Sequence, residues 1–394
     1  MRFIGIDIAS ETHVCAGVDD QGVVWLKPSS FREDAGGYAK LFGLLGDDAD
    51  ALVAMEATGH YWKNLFAALA SRGFAVALLN PLRTRRFADE GLERAKTDAI
   101  DALGIARFAQ QKRPAVTRLP DSATEDLREL VRLRDRLMQD LGDRVRQLHR
   151  VVDLGFPEFT RYVRTLDSEL ATSILHEYPT AQAFCGISVK RLANLRYDGR
   201  HLVGLDLAQK LVEAAKVSVG HHHGDAYRIQ AQYACEDIDL LRRRIRDLDR
   251  DIESALKHHE VGTLLTTIDG LGPLTSARLI AAFGNPADYK SAGALASFVG
   301  VVPATNKSGK RQTDRAGITP IGDADLRRAL WMPTLTAVRR NVWLKAFYDR
   351  LIAAGKLPKV ALVASMNKLL GAVYSVAKNR KPFEPRLLLQ GAHP

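Results

Sequence analysis

The stretch RFIGIDI, residues 2–8, is a short apolar run with one carboxylate, Asp7, set into it. A charge in a buried strand is costly unless it is paired or binds a metal. The run therefore predicts a strand, Arg2–Ile8, whose acid has a task. Working outward, His13–Val18 and Val23–Leu26 flank Asp19-Asp20-Gln21-Gly22, a hairpin signal. Ala51–Met55 reads as a buried strand ending at Glu56, and Phe74–Leu79 as another, stopped at Asn80-Pro81. Gly36–Leu45, Tyr61–Ser71 and Asp98–Gln111 have helical apolar spacing. A strand, a hairpin and then strand-helix alternation predict an α/β domain with a mixed central sheet over residues 1–120.

The 394 residues are enough for two or three domains, and 46% hydrophobic with 26% charged residues is ordinary for a soluble globular chain. Lys and Arg number 56 against 46 Asp and Glu, a net charge of +10. That balance predicts a polyanionic partner, since each cation that neutralises a phosphate releases counterions. Cys15, Cys185 and Cys235 are far apart with no Cys-x-x-Cys pair, which predicts a reducing, cytoplasmic setting and no zinc site. With no run of 18 apolar residues, no membrane partner is expected.

Beyond residue 120 the pattern changes. Leu130, Leu137, Leu141, Val145, Leu148 and Val152, and then Ile238, Leu241, Ile245, Leu248, Ile252 and Ala255, follow three- and four-residue steps. They predict a long antiparallel helical arm with a coiled-coil seam over residues 121–260, interrupted by a helical insertion at 155–235. Two uses of the arm stay open: a dimerisation element, or a hairpin packed within its own chain. Residues 261–394 read as an all-α domain: a helix, a Gly-Leu-Gly turn and a helix over Leu264–Phe283, a short helix at Ala292–Val299, a Gly-, Lys- and Arg-rich loop over Val302–Ile321, and helices at Asp323–Arg340, Val342–Ala354 and Lys359–Ala377.

Four acids fall where a site would want them. Asp7 and Glu56 belong to predicted strands, and Asp98 and Asp101 lie three apart on a predicted helix, so they face one way. Together they can hold one or two Mg²⁺ ions through oxygen ligands. Singly, Asp98 also reads as an acid favoured by a helix N-terminus, and Glu56 as a cap. In the last third, Ile268-Asp269-Gly270-Leu271-Gly272 ahead of Thr275–Phe283 reads as a helix-hairpin-helix, in which Gly270 and Gly272 let backbone N–H groups approach a DNA phosphate. A plain helical turn fits the same residues. Ser308, between Lys307 and Gly309, reads by itself as a serine in a turn.

The segments Gly5-Ile6-Asp7-Ile8-Ala9, Met55-Glu56-Ala57-Thr58-Gly59 and Lys96-Thr97-Asp98-Ala99-Ile100-Asp101-Ala102 resemble the Asp-Glu-Asp-Asp set of the insertion-sequence one-ten family of transposases. The first domain of that family is similar to the Holliday-junction resolvase RuvC, an RNase H-like fold. Phe298-Val299-Gly300-Val301-Val302-Pro303 and then Lys307-Ser308-Gly309-Lys310-Arg311 resemble the segment that carries the family's nucleophilic serine, and Gly317, Gly322 and Leu326-Arg327-Arg328-Ala329-Leu330 continue the likeness. One departure is Thr319-Pro320-Ile321-Gly322, where the family carries a lysine before the second glycine. The likeness is weakest across residues 155–235.

The resemblance implies a DNA recombinase of a mobile element. Asp7, Glu56, Asp98 and Asp101 would bind Mg²⁺, Ser308 would be the nucleophile, and Lys307, Lys310, Arg311, Arg315, Arg327 and Arg328 would contact nucleic acid. It further implies donor and target DNA, a structured noncoding guide RNA, and a homodimer or homotetramer in which one protomer's serine completes another's metal site, at the nucleoid of the cytoplasm. Rival readings are a metal-dependent nuclease or junction resolvase using the four acids alone, an actin-like small-molecule kinase, and a non-catalytic DNA-binding protein. The kinase would need a second phosphate loop that the chain lacks. His221-His222-His223, His258-His259 and the cysteines read as solvated or inert rather than metal-binding, and Trp331, Trp343, Phe347 and Tyr348 as core. Tyr61 and Trp62, near Glu56, are candidates for base stacking.

Overall fold

A computed structural model of the chain describes residues 1–46, 50–90, 97–303, 307–308, 311–312, 317–319 and 321–385, with the backbone alone at 90, 307, 308, 311 and 312. The chain divides into two compact units, Met1–Leu119 and Pro120–Pro394.

The first unit is a five-stranded mixed sheet with helices on both faces. Its elements are β1 (Arg2–Asp7), β2 (Thr12–Asp19), β3 (Val24–Arg32), α1 (Ala35–Leu45), β4 (Ala51–Glu56), α2 (Trp62–Ser71), β5 (Ala75–Leu79), α3 (Pro81–Glu90) and α4 (Asp98–Lys112). The strand order is β3-β2-β1-β4-β5: β1, β4 and β5 run parallel, and β1-β2-β3 form an antiparallel meander. Side chains alternate across a strand, so the sheet has two cores. Ile4, Ile6, Val53 and Met55 pack with Leu41 and Leu45 of α1 and Leu65 and Leu69 of α2. Phe3, Leu52, Ala54 and Ala77 pack with Ile105, Ala106 and Ala109 of α4. Helix α3 lies where Asn80-Pro81 reads as a stop. Strand β5 does stop there, at Leu79, and Pro81 then opens the helix; the Asn80 side chain accepts from the Leu82 N–H at 2.9 Å.

The second unit is mostly helical. Helix α5 (Ser122–Gly155) is followed by the short helices α6 (Phe159–Tyr162), α7 (Glu169–Glu177) and α8 (Val189–Ala193), a two-stranded hairpin β6 (Arg196–Tyr197) and β7 (His201–Leu202), then α9 (Leu205–Lys216) and α10 (Asp225–Lys257). The rest is α11 (Glu260–Leu265), α12 (Pro273–Phe283), α13 (Ala292–Val299), β8 (Lys307–Ser308), β9 (Arg311–Gln312), α14 (Ala324–Arg340), α15 (Val342–Ala353) and α16 (Pro358–Asn379).

The apolar stripes of α5 and α10 close on each other within the chain. Leu141, Leu148, Ile238, Leu241 and Ile245 share one core with the insertion, through Phe156, Phe159 and Phe184. Leu127, Val131, Leu248, Ile252 and Leu256 share the other with α11–α16. Leu137 packs against both cores, and one turn before it Arg134 of α5 meets Asp249 of α10 at 2.5 Å. Where the insertion returns, the His221 and His222 N–H groups both donate to the Leu154 carbonyl, closing the end of α5. Helix α16 is long and apolar enough to cross a membrane, although Asn367 and Lys368 break its apolar run. In the fold it is a core helix, with 56% of that stretch buried.

His259 does not sit in solvent as the sequence suggested. It is 7% exposed. Its Nδ1 accepts from the Gly262 N–H at 2.9 Å and caps α11, so the ring proton is on Nε2, which donates to the Thr124 hydroxyl at 2.9 Å. Burial holds the imidazole pKa below its ordinary value of 6.5, against the pull of Asp121. The folded chain thus keeps this ring neutral, and the unfolded chain takes up the proton first as the pH falls. The expected outcome is stability that is constant above about pH 6.5 and declines on acidification, before carboxylates begin to titrate near pH 4.5. Thermal denaturation against pH checks this, with His259→Gln expected to flatten that limb and to lose about 1 kcal/mol at neutral pH.

Candidate active site

Asp7 ends β1 and Glu56 ends β4, on adjacent parallel strands in register at Ile6 and Met55. Alternation turns Asp7, with Phe3 and Gly5, and Glu56, with Leu52 and Ala54, toward the face covered by α4. Helix α4 runs antiparallel to β1. Arg113, just past its end, lies over the Phe3 ring at 5.6 Å and pairs with Asp20 at 2.7 Å, while a side chain on Gly5 would overlap the backbone of Ala102 and Ala106. The first turn of α4, with exposed Asp98 and half-buried Asp101, therefore starts toward the edge where β1 and β4 end. Thr97 caps this turn, accepting from the Ile100 N–H at 3.3 Å.

Two supporting side chains escaped the sequence reading. Thr84 of α3, 6% exposed, donates its hydroxyl to Glu56 Oε1 at 2.5 Å. An asparagine ahead of a proline is a helix-start signal that would have placed it. His13, fully buried, holds the chain that leaves Asp7: its Nδ1 accepts from the Ala9 N–H at 3.3 Å, so Nε2 donates to Glu33 at 2.6 Å. Burial alone would raise the Glu33 pKa, but hydrogen bonds from His13, Tyr38 and Asn64 hold it below the ordinary value. Tyr61, 40% exposed, lies tilted against His60 with ring centres 4.3 Å apart, whereas Trp62 packs edge-on against Phe66.

The four acids offer only oxygen donors, the set a hard divalent cation takes, and in chemistry and in shared face they suit Mg²⁺. They are not drawn into a closed cage: among the described residues no three His, Cys, Asp or Glu side chains gather closely enough to hold one ion.

In the second unit, α11 and α12 are joined by a turn at Gly270 and Gly272. Gly270 has φ +103°, and a Cβ there would lie 2.5 Å from the Ala337 Cβ of α14, so this glycine serves helix packing. Exposed Gly272 precedes α12, whose N-terminus has no side-chain cap. Ser308 lies not in an irregular loop but on β8, paired with Arg311 of β9, with Lys307 opposite Gln312. A bridge from Pro303 to Ile318 marks the foot of this hairpin. Lys310 and Arg315 lie outside the described residues. Arg327 is half-buried and donates to the Val299 carbonyl at 2.9 Å, at the C-terminal end of α13, so part of its guanidinium is engaged inside the domain. Arg328 is 79% exposed and meets Asp325 one turn back.

Comparison with known proteins finds transposase models over two stretches of the chain. A family model described as a transposase, of the DEDD type named for IS110, matches residues 4–157, and a model described as the transposase IS116/IS110/IS902 family matches residues 262–349. A protein assigned as the transposase of the IS117 mini-circle in Streptomyces coelicolor is 28% identical over 97% of this chain and 95% of its own length. A pilin gene-inverting protein of Moraxella bovis is 24% identical over 98% of each chain. The transposase of element IS1111A from Coxiella burnetii is 22% identical over 89% of this chain and 84% of its own. With more than half of its residues matched by the two models and relatives alike along nearly its whole length, the chain belongs to the IS110 family of transposases, enzymes that cut and rejoin DNA.

Proposed function

We propose that this transposase breaks DNA by forming a covalent bond to Ser308, with Asp7, Glu56, Asp98 and Asp101 holding Mg²⁺ in an RNase H-like, RuvC-type first domain. The observation that carries the reading is the shared orientation of the acids: Asp7 and Glu56 end neighbouring parallel strands on the face covered by α4, and α4 begins with the other two. The strand order 3-2-1-4-5, with an antiparallel meander on one side, supports the RuvC-type assignment. Bound Mg²⁺ would neutralise phosphate oxygens and polarise the phosphorus. The Ser308 hydroxyl attacks the phosphodiester, the Ser308 Oγ–P bond forms, the bond from phosphorus to the 3′ oxygen breaks, and the proton ends on the released 3′-hydroxyl. A different 3′-hydroxyl reverses the step and restores the serine, so strands are exchanged without ATP. Lys307, Lys310, Arg311 and Arg315 sit beside the serine in sequence and would stabilise charge on the transferring phosphoryl group. Gly272, at the uncapped start of α12, and Arg328 would contact the DNA backbone. Guidance by an element-encoded RNA is supported by the family likeness and by the net charge of +10, and assembly as a homodimer or homotetramer by the family likeness.

Incubation with DNA bearing the element's ends should give a covalent protein–DNA adduct that is absent in Ser308→Ala. Strand cleavage that survives Ser308→Ala would instead favour a nuclease or resolvase using the acids alone. For the acids, Mn²⁺ serves as a spectroscopic stand-in: Thr84→Val should weaken its binding about tenfold, as loss of a partner to a metal ligand does. Thr84→Ser should restore it and Glu56→Gln should weaken it further, while unchanged affinity in Thr84→Val would remove Thr84 from the site. Protein purified from its host should carry one structured RNA, identified by sequencing, and the absence of any such RNA would sink the guided mode.

A further inference from the structure

The hairpin that carries Ser308 leaves the helical unit at Gly300 and returns at Gly322. Both glycines have left-handed backbones, with φ +78° and +118°. They cross in contact: a Cβ on Gly322 would lie 2.6 Å from the Gly300 Cα and N, and one on Gly300 would overlap the Arg327 guanidinium and the Ile321 carbonyl. Three hydrogen bonds then pin the outgoing chain in succession. Arg327 donates to the Val299 carbonyl at 2.9 Å, Asn367 Nδ2 to the Val301 carbonyl at 3.0 Å, and the Thr319 N–H to the Val302 carbonyl at 3.2 Å. The Asp323 N–H, donating to the Phe298 carbonyl at 3.0 Å, locks the returning chain to the end of α13.

Asn367 has a special place in this neck. Arg327 acts before the glycine crossing, and Thr319 belongs to the hairpin itself. Asn367 comes from α16, whose buried neighbours Met366, Leu369 and Leu370 are core residues. Asn367 is itself half-buried, and its amide donates to the first backbone carbonyl beyond the crossing. That bond ties the direction of the outgoing strand to a core helix.

We infer that Asn367 is a positioning residue for strand cleavage, fixing the hairpin so that Ser308 is presented to the phosphodiester. The inference rests on the serine reading above, and residue 367 lies beyond both stretches matched by the family models. The test is single-turnover adduct formation on DNA bearing the element's ends, with DNA affinity and thermal stability measured alongside. Asn367→Asp keeps the shape but removes the donor. It should slow adduct formation 10- to 100-fold, as small misplacements of a reacting group do, while DNA affinity stays within twofold and the melting temperature holds. Asn367→Gln, which keeps the donor, should recover part of the rate. An unchanged rate in Asn367→Asp overturns the inference, as does a loss that merely follows lost affinity or stability. Ser308→Ala in the same assay separates the two levels. If the adduct persists there, the serine reading falls and this inference with it. If it vanishes there and Asn367→Asp reacts at the normal rate, only the role of Asn367 falls.

Discussion

The closeness of α4 to β1 is the constraint on which the first unit depends. A helix on a sheet normally stands off by the thickness of its side chains. Here Gly5 has no side chain and α4 presents Ala102 and Ala106, so backbone meets backbone. Two consequences follow from one contact. The helix buries its small residues against Phe3, Leu52 and Ala54, and its first turn is brought low over the sheet on the face toward which Asp7 and Glu56 point. An N-terminal turn tolerates acids because its unpaired N–H groups favour negative charge, so Asp98 and Asp101 cost the fold little. Asp7 and Glu56 are harder to keep, and the surroundings reflect it: Thr84 holds Glu56, and His13 with Glu33 fixes the turn that follows Asp7.

The second unit uses its two longest helices as a shared spine. One half of the α5–α10 seam belongs to the core of the insertion, the other to the core of the C-terminal helices. The helices beyond it hold the foot of the serine-bearing hairpin. The glycine crossing and the bonds from Arg327 and Asn367 lie at the base, and among the described residues the ladder at Ser308 has two pairs.

Much of this was legible in the amino-acid order where a period was strong. The strands of the first unit, the hairpin at Asp19–Gly22, the two long helices and the C-terminal helices all follow from apolar spacing and turn residues. What stayed hidden had physical reasons. Among its described side chains, helix α3 turns Thr84 and Phe87 inward, too narrow a stripe to register against Asn80-Pro81. The burial of His259 depends on Thr124, 135 positions away, which no local pattern reveals. Gly270 reads as a nucleic-acid contact from its Gly-x-Gly turn, and Arg327 from the family likeness. Their packing against Ala337 and Val299 is a tertiary fact. Ser308 carries no local mark of reactivity, and its assignment rests on the family likeness.

The way the insertion joins the spine has a consequence for how such chains can change. Gly155 ends α5, and a Cβ on Gly220 would meet the Gly155 carbonyl at 2.5 Å, so the excursion departs and comes home at a single point. Its own aromatic cluster of Phe156, Phe159 and Phe184 fills its interior. A segment closed in this way behaves as a cassette. Lengthening or trimming it adds little loop-closure entropy and leaves the register of the spine untouched. The spine formed by α5 and α10 then keeps its own pairing whatever the length of the excursion between Gly155 and Gly220.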